Sequence, residues 1–402
     1  MKIAYLNSEY PSLSHTFIER EVRELRRLGL DIVTFSVRKP NAMGKLGHGH
    51  AKAAQETIVL QDNFFHIIRD VVLGILGAPI SGMRSVIASQ KLSPPGIGNR
   101  IKHLAYWAQA LRLARRLRRE GINHIHVHMA NSGAAIALLA CEYNRSLTYS
   151  LTIHGSAEFF HVDSWTLQPK TESAKYVRCI SHFCRAQVMA WADPDRWENF
   201  HVVRCGVDTN AYSPRSDARN GRFRILTVGR LHPIKGYDVL LEACYLLKKD
   251  GIDFQLEMVG DGPMRSRLES QTKQLGLTDC VRFAGAVGQD EIGLYYDLAD
   301  IMVISSFMEG VPVVLMEAMA KQLGVVASFV GGVPELVDDG RHGFLVPPGC
   351  PSALADAIKR YVANRQLCRI HGCLGRERVL NEYNICGSAR GMYDLFGLYK
   401  II

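Results

Sequence analysis

Strand-like and helix-like segments alternate along this chain in two series, separated by one polar stretch. The first series opens with an apolar run at 3–6. Phe17, Val22, Leu25 and Leu28 then recur at helical spacing among Glu19, Arg20, Glu21, Arg23 and Glu24, and Gly29 ends the pattern. A second strand follows at 31–37, with further strands at 122–127, 148–153, 176–180 and 201–203. Residues 214–222 are rich in Arg, Ser, Asp, Asn and Gly and read as a linker. The alternation then restarts, with strands at 224–228, 254–259, 281–284, 301–304 and 325–328 and helices between them. Alternation at this spacing implies parallel sheets covered on both faces. The expectation is an α/β protein of two doubly wound, Rossmann-like domains facing a central cleft.

A chain of 402 residues fits two or three domains. Apolar residues make up 47% and charged residues 22%, which argues against disorder as the dominant state. No apolar run reaches the roughly 18–20 residues of a membrane-spanning helix. The first residues do not continue into the apolar core of an export signal. Ten cysteines without a Cys-x-x-Cys pair read as scattered buried thiols. The charge is lopsided: residues 1–205 hold 26 Lys and Arg against 16 Asp and Glu, while the remainder holds 22 against 23. Residues 41–100 are the least regular. They contain a Gly/His-rich patch, in which His48 and His50 are expected in a solvated loop, and one or two short apolar helices at 64–87.

The familiar nucleotide loops are missing. Neither a Gly-x-Gly-x-x-Gly after the first strand nor a Gly-x-x-x-x-Gly-Lys-Ser/Thr is present. A different phosphate device follows the first strand of the second series. There Gly229 allows close backbone approach, Arg230 can grip two phosphate oxygens and Lys235 supplies a point charge, unless the segment is simply a basic surface loop. Residues 305–320 carry the second device. Pro312 suits a first helical turn, so backbone N–H groups near Gly310 and Val311 can face an anion. Glu309 lies just before that helix and Glu317 about five residues into it, flanked by apolar residues. Two carboxylates placed this way can accept hydroxyl hydrogen bonds on both sides of a diphosphate.

This segment resembles the Glu–seven residues–Glu signature of retaining glycosyltransferases of the GT-B fold, in the large family 4. Arg230 and Lys235 resemble that family's phosphate-binding pair, and residues 331–337 and 343–349 its later signatures. Residues 10–17, 149–159, 179–185 and 202–208 are similar to a subgroup, the bacterial colanic-acid-type exopolysaccharide glycosyltransferases. The resemblance implies an N-terminal acceptor-binding domain (1–208), a C-terminal donor-binding domain (209–384) and a final helix (385–402) crossing back to the first. It implies that Gly229, Arg230, Lys235, Gly310 and Val311 hold the diphosphate of a nucleotide-sugar donor. Glu309 would contact the donor sugar, Glu317 the ribose, and His154 the donor sugar from the opposite side. The anomeric configuration would be retained, with no metal and no cofactor beyond the donor substrate. The acceptor would be lipid-linked or an oligosaccharide, and the enzyme cytoplasmic and peripheral on the inner face of the cytoplasmic membrane. Two places depart from the family pattern: residues 9–14 replace a glycine-rich first loop, and Gln322-Leu323-Gly324 replaces a Gly-x-Pro. Glu158 is the candidate for the acidic residue expected after His154-Gly155.

Two features admit other readings. His124, His126 and His128 alternate on a strand and share one face, which suits packing or acceptor contact by His126 and His128, or a metal triad. Residues 101–119 are strongly basic. Arg112, Arg115, Arg116 and Arg119 form either a solvated face or a contact with an anionic membrane surface. No recognisable nucleic-acid module accompanies them, so nucleic acid is not expected as a partner. The rival functions are another GT-B enzyme, such as a phosphorylase or sugar-nucleotide epimerase, and a non-enzymatic basic binding module.

Overall fold

The computed structural model describes residues 2–12, 16–40, 48–160, 162–214, 221–288 and 291–402. Within them the strands form two parallel sheets, each in its own compact unit. One unit comprises Met1–Arg204 and Ser388–Ile402, the other Cys205–Gly387.

The first sheet contains β1 (Lys2–Glu9), β2 (Asp31–Arg38), β3 (Ile58–Val59), β4 (His124–His128), β5 (Thr148–Ile153), β6 (Val177–Cys179) and β7 (Phe200–Val202). Their order is β3-β2-β1-β4-β5-β6-β7. The second contains β8 (Phe223–Val228), β9 (Phe254–Val259), β10 (Val281–Gly285), β11 (Ile301–Ile304), β12 (Gly324–Ser328) and β13 (Phe344–Val346), ordered β10-β9-β8-β11-β12-β13. Both follow the doubly wound order in which the direction of winding reverses beside the first strand. Ligands in such sheets bind beyond the carboxyl ends of the strands at that reversal. In the second sheet the reversal lies between β8 and β11, which pair through Ile225 with Ile301 and Leu226 with Met302.

The central strands β4, β11 and β12 are buried along their whole length, as sheets covered on both faces require. In the second unit Phe223, Leu240, Leu256, Val303, Phe344 and Ile358 belong to one core. In the first, Ile3, Tyr5, Val22 and Ile32 share a core with Met392, Leu395 and Phe396, so the end of the chain completes the first unit. The unit boundaries fall after Arg204 and before Ser388, a few residues from the sequence-based positions at 208 and 385. All ten cysteines are free thiols.

The irregular region is more ordered than its sequence suggests. A helix runs His48–Glu56, so His48 and His50 do not sit in a loop; the alanines and glutamine that follow them favour helix. Helices Phe64–Gly77 and Pro79–Lys91 meet at Ala78, where Pro79 starts the second. Part of the Gly/His-rich patch (41–47) and of the linker (215–220) lies outside the described residues.

Candidate active site

In the second unit the β8 and β11 loops lie side by side at the sheet reversal. The chain leaves β8 through Gly229, makes a single tight turn at Pro233–Lys235 and enters the helix Tyr237–Lys249 at Gly236. A Cβ on Gly229 would press on the Tyr237 hydroxyl at 2.9 Å. The neighbouring loop is tied on by backbone and hydroxyl hydrogen bonds. Phe307 N–H donates to the Ile234 carbonyl at 2.8 Å, and Ser305 Oγ donates to the Gly236 carbonyl at 2.8 Å.

This stitching brings two distant charges together. Lys235 Nζ donates to Glu309 Oε1 at 2.6 Å, and Ser306 Oγ donates to the same oxygen at 2.6 Å. Glu309 is buried while Lys235 remains partly exposed. Arg230 stands exposed on the same loop and makes no ion pair among the described residues. Helix Val313–Ala320 begins beside them, with Pro312 as its cap and no side chain satisfying its first N–H groups. Those free donors and the helix dipole favour an anion there. Glu317 is buried on the fifth residue of that helix and accepts from the Tyr296 hydroxyl at 2.9 Å.

The later glycine signature has a steric reason. Gly331 has φ +54°, and a Cβ there would fall on the Glu309 carbonyl oxygen. Gly332 N–H donates to the Gly310 carbonyl at 2.9 Å. The Gly331-Gly332 turn therefore presses backbone to backbone on the segment that carries Glu309, which only residues without a side chain allow.

The first unit holds a separate polar network. His124, His126 and His128 are buried on one face of β4. Both His124 ring nitrogens lie 2.8 Å from the Thr148 and Ser150 hydroxyls, and those of His126 lie 2.8 and 2.9 Å from Ser150 and Thr152. His128 Nδ1 meets His154 Nε2 at 2.9 Å, and the two rings stack with centroids 5.2 Å apart. His128 Nε2 lies 3.3 Å from Glu21 Oε1. Arg178 binds the other Glu21 oxygen, and the Tyr5 hydroxyl donates to Oε1 at 3.1 Å.

The groups that converge are thus Glu21, His126 and His128, not the three strand histidines; their ligand atoms lie within 4.8 Å of one another. Their bonding suits an internal ion pair better than a cation, because Arg178 already balances Glu21 and hydroxyls occupy both nitrogens of His126. Burial pushes the Glu21 carboxyl up, but Arg178 and His128 outweigh it and hold the group well below the usual carboxylate range. Burial also holds His126 well below the usual histidine value and His124 down at about 3.

Glu158 faces inward. Its carboxylate accepts from the backbone N–H groups of Ala130 at 2.5 Å, His154 at 2.9 Å and Gly155 at 3.2 Å. On the other side of Ala130, Lys170 Nζ donates to the Ala130 carbonyl at 2.8 Å. Burial raises Glu158 to about 7, against those N–H donors and Lys170, and lowers Lys170 to about 7. Glu158 therefore shapes the loop that carries His154; it does not present a free carboxylate to an acceptor.

The basic helix also differs from expectation. It spans Ile97–Glu120. Arg112 donates to Asp62 at 2.6 Å and Arg115 lies 3.3 Å from Asp70, so both charges are taken up internally. Arg116 and Arg119 remain exposed. Residues 13–15 of the opening motif lie outside the described residues. The sequence did not single out Tyr237, Tyr296, Ser306, Glu21 or Arg178. A lone Tyr, Ser or paired charge carries no spacing signal.

HepE of Anabaena, solved with UDP-glucose, superposes with a TM-score of 0.74 at 18% identity over 99% of each chain. That likeness concerns the fold. In sequence, the family described as Glycosyl transferases group 1 matches residues 208–377, and Glycosyltransferase Family 4 matches residues 78–211. The two matches follow one another along residues 78–377, on a fold shared with HepE. The group 1 match contains the whole Lys235–Glu309–Glu317 site, and the family 4 match contains β4, β5 and His154. Among curated relatives, the chain is 37% identical over 188 residues to the amylovoran biosynthesis glycosyltransferase AmsK of Erwinia amylovora, covering 45% of this chain and 46% of the relative. It is 37% identical over 171 residues to the putative colanic acid biosynthesis glycosyltransferase WcaL of Escherichia coli, covering 41% and 42%. These matches span less than half the length of each relative. Among the described residues, no helix is long and apolar enough to cross a membrane.

Proposed function

We propose that the chain is a retaining, metal-independent glycosyltransferase that moves a sugar from a nucleotide-diphosphate donor to a lipid-linked or oligosaccharide acceptor in bacterial exopolysaccharide biosynthesis. The observation that carries this reading is the meeting of Lys235 and Glu309 beside an uncapped helix start at the sheet reversal. The UDP-glucose complex of HepE and the names of AmsK and WcaL support the donor class and the pathway.

In this reading the donor diphosphate lies against the start of helix Val313–Ala320. Lys235, Arg230 and the backbone N–H groups of Gly310 and Val311 supply positive charge there. Such fixed donors stabilise a leaving diphosphate without a divalent ion. Glu309 Oε2 accepts a hydroxyl of the donor sugar, and Glu317 accepts a ribose hydroxyl. The bond between the anomeric carbon and the diphosphate oxygen breaks. The acceptor hydroxyl attacks the same face and passes its proton to the departing diphosphate. His154 is oriented within its own unit by His128 and by the Glu158-braced loop. The basic first unit faces the cytoplasmic side of an anionic membrane, where a lipid-linked acceptor would lie.

Transfer from a panel of UDP- and GDP-sugars to lipid-linked acceptors tests this directly, with the product anomer read by NMR. A retained configuration in metal-free buffer is expected. Inversion of configuration, or turnover only with added divalent metal, would overturn those parts of the reading.

A further inference from the structure

We propose that helices Phe64–Gly77 and Pro79–Lys91, with the first turns of Ile97–Glu120, form a surface that inserts into an anionic phospholipid bilayer. The inference deepens the membrane association proposed above by moving the contact to a different place and giving it an apolar core.

These helices are built inside out. Along Pro79–Lys91 the buried residues are Gly82, Ser85 and Ser89, while Ile80, Met83 and Ile87 are exposed. Along Phe64–Gly77 the exposed apolar residues include Phe65, Ile68, Val72 and Leu76, again at helical spacing. Ile97, Ile101 and Leu104 continue the pattern on the third helix. Exposure reaches 78% at Phe65, 74% at Leu76, 82% at Ile80 and 80% at Ile97. A surface helix in water normally turns its apolar stripe to the core, and single exposed apolar residues are ordinary whereas a clustered set is not.

The inner sides are firmly fixed. Ser89 Oγ donates to the His103 carbonyl at 2.7 Å, Trp107 Nε1 donates to Ser85 Oγ at 2.9 Å, and the Tyr143 hydroxyl donates to the Gly74 carbonyl at 2.9 Å. Arg84 donates to the Glu142 carbonyl at 2.6 Å. The apolar residues therefore face outward on helices whose packing is already satisfied.

The charge selects the occupant. Residues 64–105 contain Arg69, Arg84, Lys91, Arg100 and Lys102 against one acid, Asp70. Asp70 is buried beside Arg115, and the preceding acid, Asp62, is bonded to Arg112. Arg69, Lys91, Arg100 and Lys102 are exposed. Apolar side chains ringed by an excess of cations match an interface of acyl chains below anionic head groups. Arg116 and Arg119 lie at the far end of a 24-residue helix. At 1.5 Å per residue they are more than about 20 Å from Ile97. They are therefore not the centre of the contact.

The test is co-sedimentation with vesicles of phosphatidylglycerol and phosphatidylcholine in equal parts, and with phosphatidylcholine alone. Wild type should pellet with the anionic vesicles, and Leu76→Glu/Ile80→Glu/Ile97→Glu should lose about tenfold or more in partitioning. Lys91→Glu/Lys102→Glu should reduce the preference for anionic lipid. Ile80→Trp, which needs no disruption, should show a blue-shifted fluorescence on adding anionic vesicles. Binding of a UDP- or GDP-sugar by the same proteins should be unchanged, which separates this surface from the donor site. The proposal is overturned if wild type does not pellet, if the triple variant pellets equally, or if Ile80→Trp shows no shift. It is also overturned if the triple variant abolishes a solution dimer while neither protein binds vesicles, since the surface would then join two copies of the chain.

Discussion

Lys235 and Glu309, 74 residues apart in the chain, meet at 2.6 Å where the β8 and β11 loops adjoin. A diphosphate would compete with Glu309 for Lys235, so the pair places a charge for the leaving group beside a carboxylate for the sugar. Glu309→Gln keeps the shape and removes the charge. We expect turnover to fall about 100-fold while affinity for the free nucleoside diphosphate changes less than about tenfold. Steady-state kinetics alongside calorimetric titration with UDP and GDP measure this split. Equal losses in both would make Glu309 a general binding residue.

Gly331→Ala should disturb the same site from behind. Its Cβ would collide with the Glu309 carbonyl, in addition to the left-handed backbone. A loss of roughly 1–3 kcal/mol in stability is expected, with weaker donor binding. Gly340→Ala is the control, because Gly340 also has a positive φ (+72°) but open space around it. Urea unfolding of the two variants should separate collision from backbone strain; equal effects would remove the collision from the account.

Much of this arrangement was legible in the sequence because period and punctuation survive there. The alternation along the chain gave two parallel sheets, and Gly229, Lys235, Glu309 and Glu317 stood at strand ends where ligands bind. The stitching was not legible. Nothing in the spacing of Ser305 or Ser306 says that their hydroxyls reach Gly236 and Glu309. The acid partners of Arg112 and Arg115 are illegible for a related reason. A run of arginines looks like a free charged face until the acids that meet it, Asp62 and Asp70, are folded against it from a different helix and its preceding turn. Glu158 stands in the sequence only as the acidic residue expected after His154-Gly155, and its three backbone N–H partners show that it braces a loop.

Arg178 is fully buried and binds Glu21, the carbonyls of Val203 and Arg204, and the Ser388 hydroxyl. It thus joins β6, the helix Thr16–Arg27 and the returning C-terminal segment. Arg178→Met takes the guanidinium from the buried Glu21 carboxylate, and should cost about 3–5 kcal/mol. Adding Glu21→Gln should recover part of that loss. Chemical unfolding of the single and double variants checks it; a double variant no more stable than the single would refute the pairing argument.

Acid should act through the buried histidines. Burial holds native His124 at about 3, whereas an unfolded histidine titrates near 6.5. Between those values the unfolded chain binds a proton that the native chain refuses. Stability from this group is therefore intact above pH 6.5 and falls as pH drops, by up to about 1.4 kcal/mol per pH unit, until about pH 3. His124→Gln should flatten the decline measured by urea unfolding between pH 7 and pH 4.5. An unchanged slope would exclude His124 as a source.

The central claim is that the Cys205–Gly387 unit holds a nucleotide-diphosphate sugar through Lys235. Calorimetric titration of the full chain with UDP- and GDP-sugars, wild type against Lys235→Ala, tests it most directly. Loss of a charged hydrogen bond worth about 1.5–3 kcal/mol predicts roughly 10- to 150-fold weaker binding of the preferred donor, with the fold unchanged. Equal affinity in the two proteins, or no binding of any such donor by folded wild type, would contradict the account.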